Sequence, residues 1–300
     1  MIATAPAPGG FEKSELQQIL KSACAAVGLD CSAARLLRGH TNAVVHLEKE
    51  GVVAKVARRG TPIADVERTA SFVRWLMQAG FPTAPLHPID QPIIADGHAI
   101  TLWKYLPQPE HPVSAAQLAG PLRHLHTLPP SPVVLPTHDP FAEIRRSLAA
   151  IACLPADATV FLADYTDRLE EELQAVEFTL PMGVIQGDPQ HRNALHTEGG
   201  AVLCDWDTVA YGPPAWDLVT VEVHCRRFGH GNDHYQAFAE AYGWDVTNCA
   251  GYQTLASVRE LQMITTNAKK VPYAPSSLTE VLRRVDGLRQ NDKISAWNIL

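Results

Sequence analysis

The sequence predicts an α+β protein in two parts. A strand-rich N-terminal part holds an antiparallel sheet and one prominent helix, and a mainly helical part follows. Three observations predict it. Residues 36–57 alternate short apolar runs with tight polar turns. From Ala115 onward apolar residues recur at helical spacing over long stretches. Between these stretches stands one short polar segment, Gln186-Gly187-Asp188-Pro189-Gln190-His191-Arg192-Asn193, followed by Val202-Leu203-Cys204 and then Asp205-Trp206-Asp207. The parts are expected at 1–105 and 106–300, with the Ala/Pro/Gly-rich stretch 1–10 as a short disordered leader and not a signal peptide.

Leu36 to Leu47 reads as strand, turn, strand, with Gly39-His40-Thr41-Asn42 as the turn. Glu48 to Gly51 makes a second turn, and Val52 to Ala57 a third strand that is apolar except for Lys55. Lysine is rarely buried without a partner, so Lys55 is either an edge residue turned to solvent or a functional cation. Ile63 to Ala79 places Val66, Phe72, Val73, Leu76 and Met77 at helical spacing, and Gly80 supplies the stop. Glu67 lies in the first turns of that helix. An acid there either favours the helix dipole or pairs with Lys55, twelve residues upstream, with Asp65 as competitor. Ala99 to Leu106 reads as a strand running into a linker marked by Pro107.

Ala115 to Leu128 is helical and ends at Pro129-Pro130, and 129–140 is an exposed crossing segment. Further helices are expected at 141–152, 161–176, 218–227, 233–242, 252–267 and 278–289. Hydrophobic content of 46% and charged content of 19% are those of an ordinary globular protein. There is no run of about eighteen apolar residues, so no membrane helix is expected. A net charge of −7 without a basic block excludes nucleic acid as the main partner. The six cysteines are scattered without a Cys-x-x-Cys pair, which fits free thiols and a cytoplasmic protein. The thirteen histidines invite a metal reading, especially His224, His230 and His234. No compact set of the His-Glu-x-x-His kind is present, so these are expected on the surface or in a substrate cleft.

The polar segment carries the chemistry. Mg²⁺ takes hard oxygen ligands and borrows several from substrate phosphates. Asp205 and the side-chain carbonyl of Asn193 suit it. A hydroxyl attacking a γ-phosphate needs a carboxylate to orient it and take its proton, and Asp188, five residues before Asn193, qualifies.

These motifs resemble the aminoglycoside phosphotransferase and choline kinase family, small-molecule kinases with a bilobal protein-kinase-like fold. The family pattern is His-Gly-Asp, four residues, Asn, then a hydrophobic strand ending in Asp-Trp/Phe-Asp/Glu. Here it reads Gln186-Gly187-Asp188, Asn193 and Asp205-Trp206-Asp207. Tyr211 to Leu218 resembles the family's Gly-Pro-x-x-x-Asp-Leu segment, and the helix ending at His126 its Leu-x-x-Leu-His segment. The usual His before Gly-Asp is replaced by Gln186, which also donates and accepts.

The resemblance implies Asp188 as the catalytic carboxylate and Asn193, Asp205 and Asp207 as metal residues. Gly39, His40, Thr41, Asn42, Lys55 and Glu67 would serve the nucleotide phosphates. Trp103, Lys104, Tyr105 and Leu106 would form the hinge against the purine, although Trp103 and Tyr105 equally suit packing. Gln186 and Asp217 would brace the loop. Glu222, His224 and Glu260 are candidates for the acceptor. Mg²⁺ is the implied metal, with ATP or GTP as co-substrate. The implied acceptor is a small hydroxylated molecule such as an aminoglycoside-like or other antibiotic, with resistance as the role. Alternatives are a sugar or amino alcohol kinase, a non-catalytic nucleotide or antibiotic-binding protein, a protein kinase, and a haloacid-dehalogenase-type phosphatase with Asp205 as nucleophile.

Overall fold

The computed structural model describes residues 11–39 and 42–300. Helix α1 (Lys13–Val27) sets Leu16, Ile19, Leu20, Ala23 and Cys24 on one face. Strands β1 (Ala34–Gly39), β2 (Ala43–Leu47) and β3 (Val52–Val56) follow. Helix α2 (Ile63–Gln78) then precedes β4 (Ile93–Ala95) and β5 (His98–Lys104). The five strands pair antiparallel throughout in the order β1-β2-β3-β5-β4. Side chains alternate across a strand. Val52, Ala54 and Val56 therefore join Ala43, Val45, Leu47, Ile100 and Leu102 in one apolar layer, and the buried face of α1 covers it. Lys55 sits on the middle strand of the five, which removes the edge-strand reading. The sequence reading foresaw one prominent helix here. The structure adds α1, whose apolar residues keep a spacing of three and four.

Helices dominate the rest of the chain. Ser114 opens α3 (Ala115–His126) with a reciprocal capping box to Gln117. Asp139 caps α4 (Pro140–Ala149), and α5 (Ala156–Gln174) follows. Strand β6 (Gly183–Ile185) leads into the Asp188 loop. The hairpin β7 (Ala194–Thr197) and β8 (Gly200–Leu203) comes next, and β9 (Ala210–Gly212) pairs back onto β6. Helix α6 (Pro214–Arg227) is buried on nearly every face, and α8 (Tyr252–Lys270) packs beside it. In chain order α7 (Asn232–Tyr242) lies between these two and packs mainly on α3, and α9 (Leu278–Arg289) closes the series. α6 begins at Pro214, four residues before its expected start. Proline suits the first helical turn because its missing N–H would have no partner there.

The chain divides into two compact units. One holds the described residues up to His111 with 131–135 and 195–207; the other holds 112–130, 136–194 and 208–300. In the first unit, Leu203 N–H donates to Pro82 O at 3.0 Å and Leu203 O accepts from Ala84 N–H at 2.8 Å. These bonds fix the segment that ends in Asp205. Among the described residues no helix is long and apolar enough to cross a membrane.

Candidate active site

In the first unit Trp206 anchors the acidic segment. Its ring is fully buried, edge-on to Phe72 at 5.5 Å and to Phe81 at 5.9 Å, and its Nε1–H donates to Thr83 Oγ1 at 2.9 Å. Asp205 lies at φ 58°, a left-handed conformation uncommon outside glycine and asparagine. The ring is thereby held in the core while both flanking carboxylates reach Lys55, whose Nζ lies 2.7 Å from Asp205 Oδ1 and 2.7 Å from Asp207 Oδ1. Asn42 Nδ2 donates to Asp207 Oδ2 at 2.8 Å. Burial alone would lower the Lys55 pKa, but the two aspartates outweigh it and hold the amine above the usual lysine range. The Lys55 side chain is 15% exposed, so the cation is half-sheltered but reachable.

In the second unit the loop after β6 is tied to the first turn of α6. Asp217 is fully buried and accepts Gln186 N–H at 2.7 Å and Gly187 N–H at 2.8 Å. It also meets His126 Nε2 at 3.0 Å, and His126 Nδ1 meets the Tyr242 hydroxyl at 2.8 Å. Gln186 Oε1 accepts Asp188 N–H at 2.7 Å, and Gln186 O accepts from Thr208 Oγ1 at 2.9 Å. Trp216 Nε1–H donates to Gly187 O at 2.9 Å. Gly187 has φ 86°, and a Cβ there would lie 2.4 Å from Thr208 O, so only glycine fits.

Held this way, Asp188 faces Asn193. Asn193 Nδ2 donates to Asp188 O at 2.9 Å and to Asp188 Oδ2 at 3.0 Å, and Gln190 Nε2 donates to the same Oδ2 at 3.0 Å. Both acceptors for Asn193 are oxygens, which fixes the amide orientation. Its Oδ1 is buried and, among the described residues, has no partner. A buried acceptor left unpaired costs about 1–3 kcal/mol. A hard cation accepting that oxygen would remove the cost, so the residue fits Mg²⁺ by its own geometry.

The profile of the family described as "Phosphotransferase enzyme family" matches residues 32–261. The chain belongs to that family. No curated protein sequence matches it. Solved structures show the same kinase-like fold. A choline kinase from Streptococcus pneumoniae has a TM-score of 0.63 at 16% identity, over 91% of this chain and 99% of that one. An aminoglycoside phosphotransferase from Streptomyces rimosus has a TM-score of 0.59 at 20% identity, over 82% and 98%. The amicoumacin kinase hAmiN, in complex with AMP-PNP, Ca²⁺ and Ami, has a TM-score of 0.66 at 14% identity, over 90% and 92%. The protein is a small-molecule phosphotransferase, which sets aside the phosphatase reading of Asp205.

Several expected site residues of the phosphotransferase stand elsewhere than foreseen. Glu67 does not pair with Lys55: the lysine's ion pairs are with Asp205 and Asp207. Glu67 instead lines an open polar depression with Ser71, Arg74, Asp90 and Gln91. Gly39 ends β1 and Asn42 precedes β2, while His40 and Thr41 lie outside the described residues. In the segment expected to form the hinge, Trp103 is buried with its Nε1–H on Thr101 Oγ1 at 2.8 Å. Lys104 N–H donates to Pro85 O at 2.9 Å and Tyr105 N–H to Gly51 O at 2.8 Å. Those two amides cannot serve a purine edge without giving up these bonds. Tyr105 stacks on His46 at 3.7 Å, and Leu106 O accepts from Gln108 Nε2 at 3.0 Å.

The acceptor candidates also need correction. Glu260 is 1% exposed and bonds Arg226 and Arg227 at 2.8 Å each, and Glu222 bonds Arg226 at 2.7 Å. Buried charges need partners, and these carboxylates hold α6, α8 and the C-terminal segment together. His224 is buried on α6, and burial first, then nearby charges including Arg259, drives its pKa well below the ordinary imidazole range. Sequence reasoning missed Arg259 on α8. Its guanidinium is buried and ion-paired to Asp188 Oδ1, and its Nη1–H donates to Gln262 Oε1 at 2.6 Å. Gln262 Nε2 continues the chain to Glu143 Oε2 at 2.6 Å. An arginine within the largely buried face of α8 was the one available signal.

Proposed function

We propose that this phosphotransferase moves the γ-phosphate of ATP or GTP to a hydroxyl of a small molecule, an aminoglycoside-like or other antibiotic, in the cytoplasm. Drug resistance would be its role. The Asp188–Asn193 pair is the observation that carries the reading. It presents a carboxylate and, beside it, a buried carbonyl oxygen without a partner among the described residues. Mg²⁺ held by Asn193 Oδ1 and by Asp205, with Asp207 assisting, would neutralise charge on the phosphate oxygens. Asp188 orients the acceptor hydroxyl and takes its proton as the phosphoryl group transfers. Its braced backbone keeps the carboxylate in place before substrate arrives, so most of the catalysis is positioning. Lys55, held charged by Asp205 and Asp207, exchanges part of that pairing for nucleotide phosphate. Gly39 and Asn42 would lie close to the nucleotide phosphates. Gln186 and Asp217 fix the loop and touch no substrate. Free thiols support the cytoplasmic assignment; burial pushes Cys24 and Cys204 up to about 12, so they serve packing.

A specific observation favours a second acceptor class, a neutral or anionic sugar-like metabolite. Glu222 and Glu260 are already neutralised by arginines, and a buried guanidinium stands at Asp188. A polycationic antibiotic is served better by free carboxylates than by this set. The test is a coupled nucleotide-turnover assay with ATP and GTP. It uses Mg²⁺ and a panel of antibiotics, sugars, hydroxy acids and amino alcohols, with Asp188→Ala as control. Acceptor-dependent turnover lost in the variant supports the reading and names the acceptor. No turnover, together with no Mg-nucleotide binding by calorimetry, overturns it in favour of a non-catalytic protein.

A further inference from the structure

Three imidazoles that phosphotransfer leaves unused meet in the second unit. His191 belongs to the short turn His191–Asn193 of the Asp188 loop, His230 to the α6–α7 connection, and His234 to the first turn of α7. One ligating nitrogen of each lies within 4.8 Å of the others. His191 Nε2 and His234 Nε2 are 2.9 Å apart. The His191 and His230 rings stack with centroids 4.2 Å apart, and both stand 5.1 Å from the His234 ring. Ala115 N–H donates to His234 Nε2 at 3.1 Å, so this nitrogen is an acceptor and His191 Nε2 carries the proton between them. Close by, the buried Nε2 of His224 has no partner among the described residues.

We propose that His191, His230 and His234 form a binding site for a divalent transition cation of the Zn²⁺ class. Imidazole nitrogen suits Zn²⁺, Ni²⁺ and Cu²⁺, whereas Mg²⁺ takes oxygen, so the ion is chemically distinct from the one that phosphotransfer uses. Zn–N bonds of about 2.0–2.1 Å in tetrahedral geometry place ligand nitrogens about 3.3 Å apart. The triad brackets that spacing. His230 is exposed and flanked by Gly229 (φ 76°) and Gly231 (φ 87°), so its ring turns toward the other two at little cost. Binding through Nε2 moves the single N–H proton of His191 to Nδ1, a change of tautomer with no net proton release, and exchanges the Ala115 bond at His234 for a metal–nitrogen bond. Three histidines leave a fourth position for water or another oxygen. His191 lies two residues from Asn193 on the same turn, so an ion there ties α7 to the loop that carries Asp188.

The test does not depend on activity. The untagged full-length protein, freed of metal with EDTA, is titrated with Zn²⁺ against a chromophoric chelator in excess Mg²⁺. One ion per chain is expected. His230→Ala and His234→Ala should each weaken binding by about tenfold or more. Co²⁺ should give the intense visible absorption of a four-coordinate site, lost in both variants. His230→Ala carries the decision if His234→Ala fails to fold, because His230 is exposed and its replacement should leave the circular dichroism spectrum unchanged. Zn²⁺ binding of unchanged affinity in His230→Ala overturns the proposal, as does the absence of binding. Loss of binding in excess Mg²⁺ overturns it too, because the ligands are then oxygens.

Discussion

Asp188 is defined by what surrounds it. Gln190 and Asn193 satisfy one carboxylate oxygen, and Arg259 faces the other. Asp188→Ala should lower turnover by about 10²–10⁴-fold, the usual worth of a general base. Mg-nucleotide affinity, read by calorimetry, should stay near that of the wild type, and wild-type turnover would remove Asp188 from the chemistry. Arg259 acts through Asp188 and is a positioning residue in this reading. Arg259→Gln should lower kcat by about tenfold or more, since small misplacements of a reacting group are costly. It should change the nucleotide KM little. Arg259→Lys should recover part of kcat. A loss in stability alone, with kcat unchanged, would make Arg259 merely structural. Asp188, Asn193 and Asp205 stood out as candidates in the sequence because the proposed chemistry uses those residue types at short spacing. Arg259 was not, because it reaches Asp188 from a helix 71 residues later, and no local pattern encodes that meeting.

At the scale of elements, Trp206 sets two acids on one lysine. Its burial against Phe72 and Phe81 and its bond to Thr83 position Asp205 and Asp207 on the same lysine. Trp206→Ala should cost about 3–5 kcal/mol by urea unfolding, the range for deleting a buried indole. Trp206→Phe keeps most of the apolar contact and leaves Thr83 Oγ1 without its donor, so about 1–3 kcal/mol is expected. An Ala variant with wild-type stability would show that the segment is held by the Leu203 backbone bonds alone. The sheet and most helices were readable from local periodicity, since burial of one face dictates it. Helix α1 obeys the same periodicity. The start of α6 was hidden by Pro213-Pro214, which reads as loop and yet opens a helix. The partner of Lys55 was hidden for a different reason. Strand order and the return of residues 195–207 to the first unit are tertiary facts, so the nearest helical acid, Glu67, was the natural but mistaken partner.

At the scale of the whole molecule, a chain of net charge −7 buries several of its charges as closed groups. One such group fastens the C-terminal segment to the second unit. Arg227 donates to Asp292 O and Ser295 O at 2.6 and 2.8 Å, and Trp297 lies beneath the Arg227 and Arg284 guanidinium groups at 4.8 and 4.5 Å. Glu280 anchors the cluster from α9 through Arg283 at 2.8 Å, Arg284 at 2.9 Å and Asn298 N–H at 3.0 Å. Burial alone would raise its pKa, but these donors outweigh burial and bring it down from the usual 4.5 to about 2. A carboxylate depressed in the folded state binds fewer protons there than in the unfolded chain. Its contribution is complete above about pH 4.5, fades as pH falls, and is gone below about pH 2. Glu280→Gln keeps the shape and removes the charge. Urea unfolding of wild type and variant should therefore differ most at pH 6, and the gap should close steadily between pH 4.5 and the lowest pH at which both still fold. Other carboxylates titrate in both proteins and cancel in the difference. A gap that stays constant across that window would mean that Glu280 fastens the C-terminal segment by shape and neutral hydrogen bonding, and that its charge contributes nothing.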